Sequence, residues 1–348
     1  MKKVQIGKRL VGEGEPCFVI AEAGSNHNGK LEQAKKLIDV AAQARADAVK
    51  FQLFRADRLY TRNAGESNYL KLGRPIYEII ADMEMPYEWL SILAEYCQDR
   101  GIVFMASAFD EKSADRLDPY VQVHKIASYE MTHTPLVRHI ARKGKPMLLS
   151  TGTADISEVT KTVDSIKSAG NESFILLQCT AAYPAPIESL NIRAMQTLSA
   201  RFGVPAGLSD HSRDPLIGPL AAVSLDAAVI EKHFTTDNDL PGPDHKFALE
   251  PEELILMVRK IRETQQALGS GEKTPHPVEQ ELRSFARRSI FSVQPLAPGD
   301  VVTLEKVAVL RCGKQAAGLE PDRLDEILGR KVLRAVPAET AIREGDVA

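Results

Sequence analysis

Eight times between Cys17 and about Ala267, a short apolar run gives way to a longer amphipathic segment. Short continuous apolar runs read as strands buried on both faces, and the amphipathic segments between them as crossover helices. Alternation of this kind builds βα units around a parallel sheet. The strands read as Cys17–Glu22, Ala48–Gln52, Ile102–Met105, Val121–Ile126, Pro146–Leu149 and Ser173–Thr180, followed by two runs that end at His211 and His233. The first helix shows an apolar face of Leu31, Ala34, Leu37, Ile38 and Ala41, and the last runs from Pro251 to about Leu268. Eight strands with their crossovers in about 250 residues predict an α/β fold, a (β/α)8 TIM barrel, over residues 1–268. A long polar insertion, about Arg55 to Pro86, interrupts the second unit and reads as a lid.

Chemistry in such a barrel sits at the C-terminal ends of the strands. Glu22, Lys50, Gln52, Ser107, Lys125, Ser128, Glu130, Ser150, Ser209, His211 and His233 all stand there. A purely structural barrel needs no such polarity. Two lysines and several serines donate to phosphate or carboxylate oxygens, and two carboxylates can handle protons. His211 and His233 close consecutive strands, which lie about 4.8 Å apart, so one divalent metal ion can be shared between them. Taken singly, each histidine reads better as a strand cap bonded to a backbone carbonyl; the pair at equivalent positions favours the metal. Cys17 and Cys179 fall within apolar runs and read as buried filler.

Composition bounds the function. The chain of 348 residues carries a formal net charge of −3 and no basic stripe, which argues against nucleic acid as a partner. No stretch is long and apolar enough to span a membrane, and Met1–Ile6 lacks the apolar core of a signal peptide. The four cysteines are scattered without a CxxC, so a reduced, cytoplasmic setting is expected. Residues 269–283, with Pro275 and Pro277, read as a polar linker. The remainder, 284–348, turns to short β-rich runs (Ile290–Val293, Val301–Thr303, Val307–Leu310, Lys331–Leu333) broken by turns such as Pro298-Gly299-Asp300. It reads as a small β domain, marginal alone by size.

Several phrases together carry a resemblance: Ile20-Ala-Glu22-Ala-Gly-Ser-Asn26-His-Asn-Gly29, Val49-Lys50-Phe-Gln52, Lys125-Ile-Ala-Ser128-Tyr-Glu130, Leu149-Ser150-Thr-Gly152, Cys179-Thr-Ala-Ala-Tyr183-Pro184, Leu208-Ser209-Asp210-His211, Glu231-Lys-His233-Phe, Pro241-Gly-Pro-Asp244-His and Ala286-Arg287-Arg288-Ser289. The chain resembles the sialic acid synthase family over nearly its whole length, and its tail resembles the antifreeze-like (SAF, β-clip) domain. The resemblance implies condensation of phosphoenolpyruvate with an N-acetylated hexosamine to give a nine-carbon ulosonic acid and phosphate. By position, it implies that His211 and His233 bind Mn²⁺ or Mg²⁺ and that Lys50, Lys125, Ser128, Ser150 and Ser209 hold phosphoenolpyruvate. Gln52, Glu130, Tyr183 and Asp244 would face the amino sugar, with Glu22 between metal and reaction centre. Arg311, in Leu310-Arg311-Cys-Gly, matches an arginine that the SAF domain sends into the partner's barrel in a domain-swapped homodimer.

The chain also departs from the family pattern. Tyr129 stands where the family phrase has glycine, His133 replaces an asparagine, and Ala106-Ser107-Ala108-Phe109 keeps one hydroxyl but loses a proline. Ala181 stands where some relatives carry asparagine. Ser-aromatic-Glu and Ala-Tyr-Pro-Ala-Pro resemble pseudaminic acid synthases, whereas Pro-Gly-Pro-Asp-His resembles the neuraminate and legionaminate branches, so the hexosamine stays open between N-acetylmannosamine and a 6-deoxy diacetamido sugar. A Schiff base on Lys50 or Lys125 would make a class-I aldolase and leave the histidines without a task. A non-catalytic carbohydrate- or ice-binding protein would do the same for the strand-end lysines.

Overall fold

The structure is a computed structural model describing residues 3–66 and 73–348. It divides into two compact units, Met1–Gly269 and Ser270–Ala348. In the first, a short antiparallel hairpin, β1 (Val4–Ile6) and β2 (Arg9–Val11), precedes eight parallel strands: β3 (Phe18–Gly24), β4 (Ala48–Leu53), β5 (Val103–Ala108), β6 (His124–Ile126), β7 (Met147–Ser150), β8 (Phe174–Cys179), β9 (Ala206–Asp210) and β10 (Val229–His233). They close as β10-β3-β4-β5-β6-β7-β8-β9, the TIM-like barrel expected from the alternation of runs.

Successive side chains of a strand face opposite sides, so every second residue faces the lumen. Phe18, Ile20, Ala48, Met105, Val123, Leu148, Ile175, Leu177 and Val229 pack there in one apolar cluster. Two residues further along the same strands stand Glu22, Lys50, Ser107, Lys125, Ser150, Cys179 and Glu231. The lumen therefore has an apolar floor and a polar roof. The hairpin joins the floor through Val4, Ile6 and Val11. The intervening residues, such as Val19, Ala21, Val49, Phe51 and Leu176, pack outward with Leu37, Ile38, Leu254 and Ile261 of the helices Leu31–Gln43 and Pro251–Leu268. At Gly207 of β9 a Cβ would lie 2.3 Å from the Val229 carbonyl oxygen, so only glycine lets these two strands meet so closely.

Three details differ from the sequence reading. The hairpin was not anticipated, because three-residue strands leave no readable alternation. The insertion after β4 is not an irregular loop over its described part. It holds the helices Ala56–Leu59 and Ile76–Asp82, with Ile76 and Ile79 buried and Arg55 paired to Glu84 at 3.7 Å. Residues 67–72 of the expected lid lie outside the described residues. Finally, the fourth strand is only His124–Ile126, because Asp118–Tyr120 winds into a 3₁₀ turn just before it.

The second unit begins with a 3₁₀ turn, Pro277–Glu279, and a helix, Gln280–Ala286, neither of which has a buried residue. Its core of Ile290, Leu296, Val302, Val307, Val332, Val336 and Ile342 lies under β11 (Arg288–Ser292) and β12 (Val307–Arg311), which pair antiparallel. The runs expected at 301–303 and 331–333 form only single bridges, Val301 to Lys331 and Val332 to Val347. Asp300 closes the Pro298-Gly299-Asp300 turn by accepting from the Ala297 N–H at 2.9 Å, with Gly299 at φ +93°. Among the described residues no helix is long and apolar enough to cross a membrane.

Candidate active site

A cavity of about 40 Å³ opens in the polar roof, and eleven of the fourteen expected site residues line it. The other three are Glu130, Asp244 and Arg311. A larger hollow of about 360 Å³, beside Lys3, Asn171 and Pro205, lies at the N-terminal ends of β8 and β9 and carries no histidine.

Four buried charges organise the roof. Lys50 Nζ is 2.7 Å from Glu22 Oε2, although off the line of a directed hydrogen bond, and 3.6 Å from Glu231 Oε1. Lys125 Nζ is 3.5 Å from the same Glu231 oxygen and donates to Ser150 Oγ at 2.8 Å. Ser107 Oγ accepts from Lys50 at 3.3 Å, and Ser209 Oγ donates to Glu231 at 3.2 Å. Gln52 donates to Glu22 Oε1 at 3.1 Å. Burying ion pairs costs several kcal/mol per ion in desolvation, so such a cluster is poor evidence for stability and good evidence for chemistry. Burial pushes the Glu22 carboxyl up to about 7, with Glu231 adding to the shift against the pull of Lys50. Burial also opposes ionisation of Glu231, but Lys125 and Lys50 outweigh it and hold that carboxyl below its usual range.

Glu231 has no role in the sequence reading, yet alternation marks it, two residues before His233 and facing the same way. Cys179 was read as filler. Its thiol instead reaches the roof, accepting from Ser128 Oγ at 3.3 Å and lying 3.7 Å from His211 Nδ1. Ser128 Oγ also accepts from the Gly152 N–H at 3.2 Å, so its hydroxyl is already engaged. Glu130 is buried, its Oε2 has no hydrogen-bond partner among the described residues, and burial pushes its carboxyl up to about 7.

The two histidines meet. Their ring centroids are 5.3 Å apart at 67°. His211 Nδ1 lies 2.9 Å from the Thr180 carbonyl oxygen, which can only accept, so that nitrogen carries a proton; burial works to lower the imidazole, but Cys179 and the Thr180 carbonyl outweigh it and raise it above its usual value. His233 is held neutral by burial, with His211 adding to the effect, and its Nδ1 is buried without a partner among the described residues. Two imidazoles in contact, each offering a ring nitrogen when deprotonated, suit a divalent cation, although among the described residues no third His, Cys, Asp or Glu completes a ligand cluster. Tyr183 stacks on His211 at 4.2 Å, and Phe247 packs against both His233 at 5.2 Å and Tyr183 at 5.3 Å.

Asp244 is carried over the roof by the segment after β10. A Cβ on Gly24, which sits at φ +54°, would lie 3.0 Å from Asp244 Oδ2, so any other residue there would be strained in its backbone and would press on that carboxylate. Burial raises the Asp244 carboxyl to about 6. His245 fixes the segment, with Nδ1 2.6 Å from Thr235 Oγ1 and Nε2 3.1 Å from Asn28 Oδ1. Arg311 belongs to the second unit, exposed at the end of β12 and opposite Arg288.

Known proteins resemble this chain in sequence and fold. The NeuB family matches residues 37–273, and a SAF domain matches residues 287–348. The spore coat polysaccharide biosynthesis protein SpsE of Bacillus subtilis is 43% identical, covering 100% of this chain and 98% of that protein. The N,N'-diacetyllegionaminic acid synthase of Legionella pneumophila is 40% identical over 95% of this chain and 94% of its own length. The crystal structure of N-acetylneuraminic acid synthetase from Leptospira borgpetersenii superposes with a TM-score of 0.72 at 34% identity, covering 81% of this chain and 95% of that one. Barrel and tail thus agree with sequence likeness along the whole chain, which belongs to the NeuB family and carries a C-terminal SAF domain.

Proposed function

We propose that this chain joins phosphoenolpyruvate to an N-acetylated hexosamine, releasing phosphate and leaving a nine-carbon, sialic-acid-type ulosonic acid. One observation carries the reading: two buried lysines, each near a serine hydroxyl, share a barrel mouth with two touching imidazoles. Lys50 and Lys125, with Ser107, Ser150 and Ser209, donate to the phosphate and carboxylate oxygens of phosphoenolpyruvate. Ser128 shapes the same wall. Gln52, Tyr183 and Asp244 face the sugar. His211 and His233 would hold Mn²⁺ or Mg²⁺, which supplies Lewis-acid polarisation of the sugar's aldehyde oxygen. The new bond forms between C3 of phosphoenolpyruvate and the aldehyde carbon, water takes the positive charge left at C2, and that carbon then expels phosphate. We assign the water's proton to Glu130, because Glu22 is committed to Lys50 and Gln52 whereas Glu130 has no ion pair among the described residues.

The likeness to the Legionella enzyme supports a 6-deoxy diacetamido hexose over N-acetylmannosamine. Tyr129, 60% exposed beside Glu130, is the residue we expect to meet the extra acyl or deoxy group. The test is phosphate release from phosphoenolpyruvate across a panel of hexosamines, with Mn²⁺ or Mg²⁺ present. Higher kcat/KM on the diacetamido sugar is expected. Equal efficiency on both sugars, with Tyr129→Gly neutral, would remove the sugar assignment, and no release with any acetamido sugar would overturn the function itself. We extend the reading to the second unit: Arg311, which has no ion pair among the described residues, serves the barrel of a second copy, where its planar fork can bond two oxygens at once.

A further inference from the structure

Behind the roof, β9 and β10 carry a second charge pair that the chemistry above does not use. Asp210 and Lys232 are register partners, each one residue before a histidine of the site. Alternation turns both side chains away from the lumen, toward the helix Ile217–Ser224, where a Cβ on Gly218 would lie only 2.5 Å from Asp210 Oδ2. Both side chains are almost entirely shielded from water, at 0% and 1% exposure.

The pair is fully bonded. Lys232 Nζ donates to Asp210 Oδ2 at 2.7 Å, to the Ser212 carbonyl oxygen at 2.5 Å and to Ser212 Oγ at 3.1 Å, which uses all three of its protons. Asp210 Oδ1 accepts from the Ser212 N–H at 2.8 Å, closing a local turn whose central residue is His211. The His211 carbonyl is itself taken by the Ala185 N–H at 2.9 Å. The backbone on both sides of His211 is therefore tied to β10, one residue before His233.

Stability alone is a poor reason for this arrangement, since replacing a buried ion pair with apolar residues of similar volume is often neutral or stabilising. We propose that Asp210 and Lys232 are positioning residues: from outside the lumen they fix His211 relative to His233, so that the two imidazoles form one preorganised seat for a divalent cation. The proposal rests on the reading of those histidines as cation ligands.

The experiment is a titration with Mn²⁺ alone, following the free ion by electron paramagnetic resonance. It compares the full chain with His211→Ala and with the double variant Asp210→Leu/Lys232→Met, each checked for its unfolding midpoint. The full chain is expected to bind and His211→Ala to lose binding. The double variant should keep a midpoint within a few degrees of the parent and bind Mn²⁺ about 10–100-fold more weakly, as outer-shell losses do. A folded double variant with parental affinity would show the pair to be structural only and overturn the proposal, leaving the histidine reading intact. Binding that survives His211→Ala, or no binding by the parent, would overturn the histidine reading itself and this proposal with it. If the double variant does not fold, Asp210→Asn carries the test. Asparagine keeps an acceptor for the Ser212 N–H but loses the charged tie to Lys232, so a folded Asp210→Asn with parental affinity also overturns the proposal.

Discussion

Glu130 shows how one residue's surroundings set both its chemistry and its cost. Its carboxyl is raised from 4.5 to about 7, chiefly by burial. The fold thus favours the protonated form. The contribution to stability is full below the unfolded value and is lost as pH rises from about 4.5 to about 7, beyond which the buried charge is a standing penalty. Glu130→Gln removes that penalty while keeping size and hydrogen bonding. In urea titrations it should be more stable than the parent by about 1–3 kcal/mol at pH 8, with the difference vanishing at about pH 4, below the unfolded value. Its turnover should fall by about 10²–10⁴ while phosphoenolpyruvate still binds. Parental turnover would move the proton to Glu22. At this scale the sequence was a good guide to which residues reach the roof, because period two along a strand fixes them. It was a poor guide to how they pair. Glu231 went without a role and Cys179 was taken for filler, since an apolar run does not reveal which of its members faces the lumen.

Whole elements divide the work differently. The hairpin β1–β2 lines no part of the roof cavity, yet Ile6, 1% exposed, and Val11, fully buried, belong to the apolar floor. Ile6→Ala should cost about 2–4 kcal/mol by cavity formation. The urea midpoint should drop while kcat at 25 °C stays within about twofold. A large loss of kcat at unchanged stability would mean that the floor transmits to the roof. The eight barrel strands were legible because each apolar run is long enough to show itself. Three-residue strands are not, nor are helices of one or two turns such as Ile76–Asp82, where only two buried residues mark a face. The second unit was hardest to read, because several of its pairings are single bridges that depend on turns rather than on any run of residues.

For the molecule as a whole, the role proposed for Arg311 predicts how mixed subunits behave. If Arg311 serves a partner's barrel, Arg311→Ala and His211→Ala should each be nearly inactive. After random subunit exchange, half of the dimers are mixed and each of those has one intact site, so up to about a quarter of parental activity should return. Exchange proven by mass spectrometry without any return of activity would assign each tail to its own barrel, or deny Arg311 a part. The layered lumen described above also bears on descent. One strand carries two messages at alternate positions, the lower read by the solidity of the fold and the upper by the reaction. Changes in the two layers can therefore accumulate almost separately. A lineage can trade one sugar for another in the roof without renegotiating its foundations, and a breeder of hardier variants has the floor to work on first.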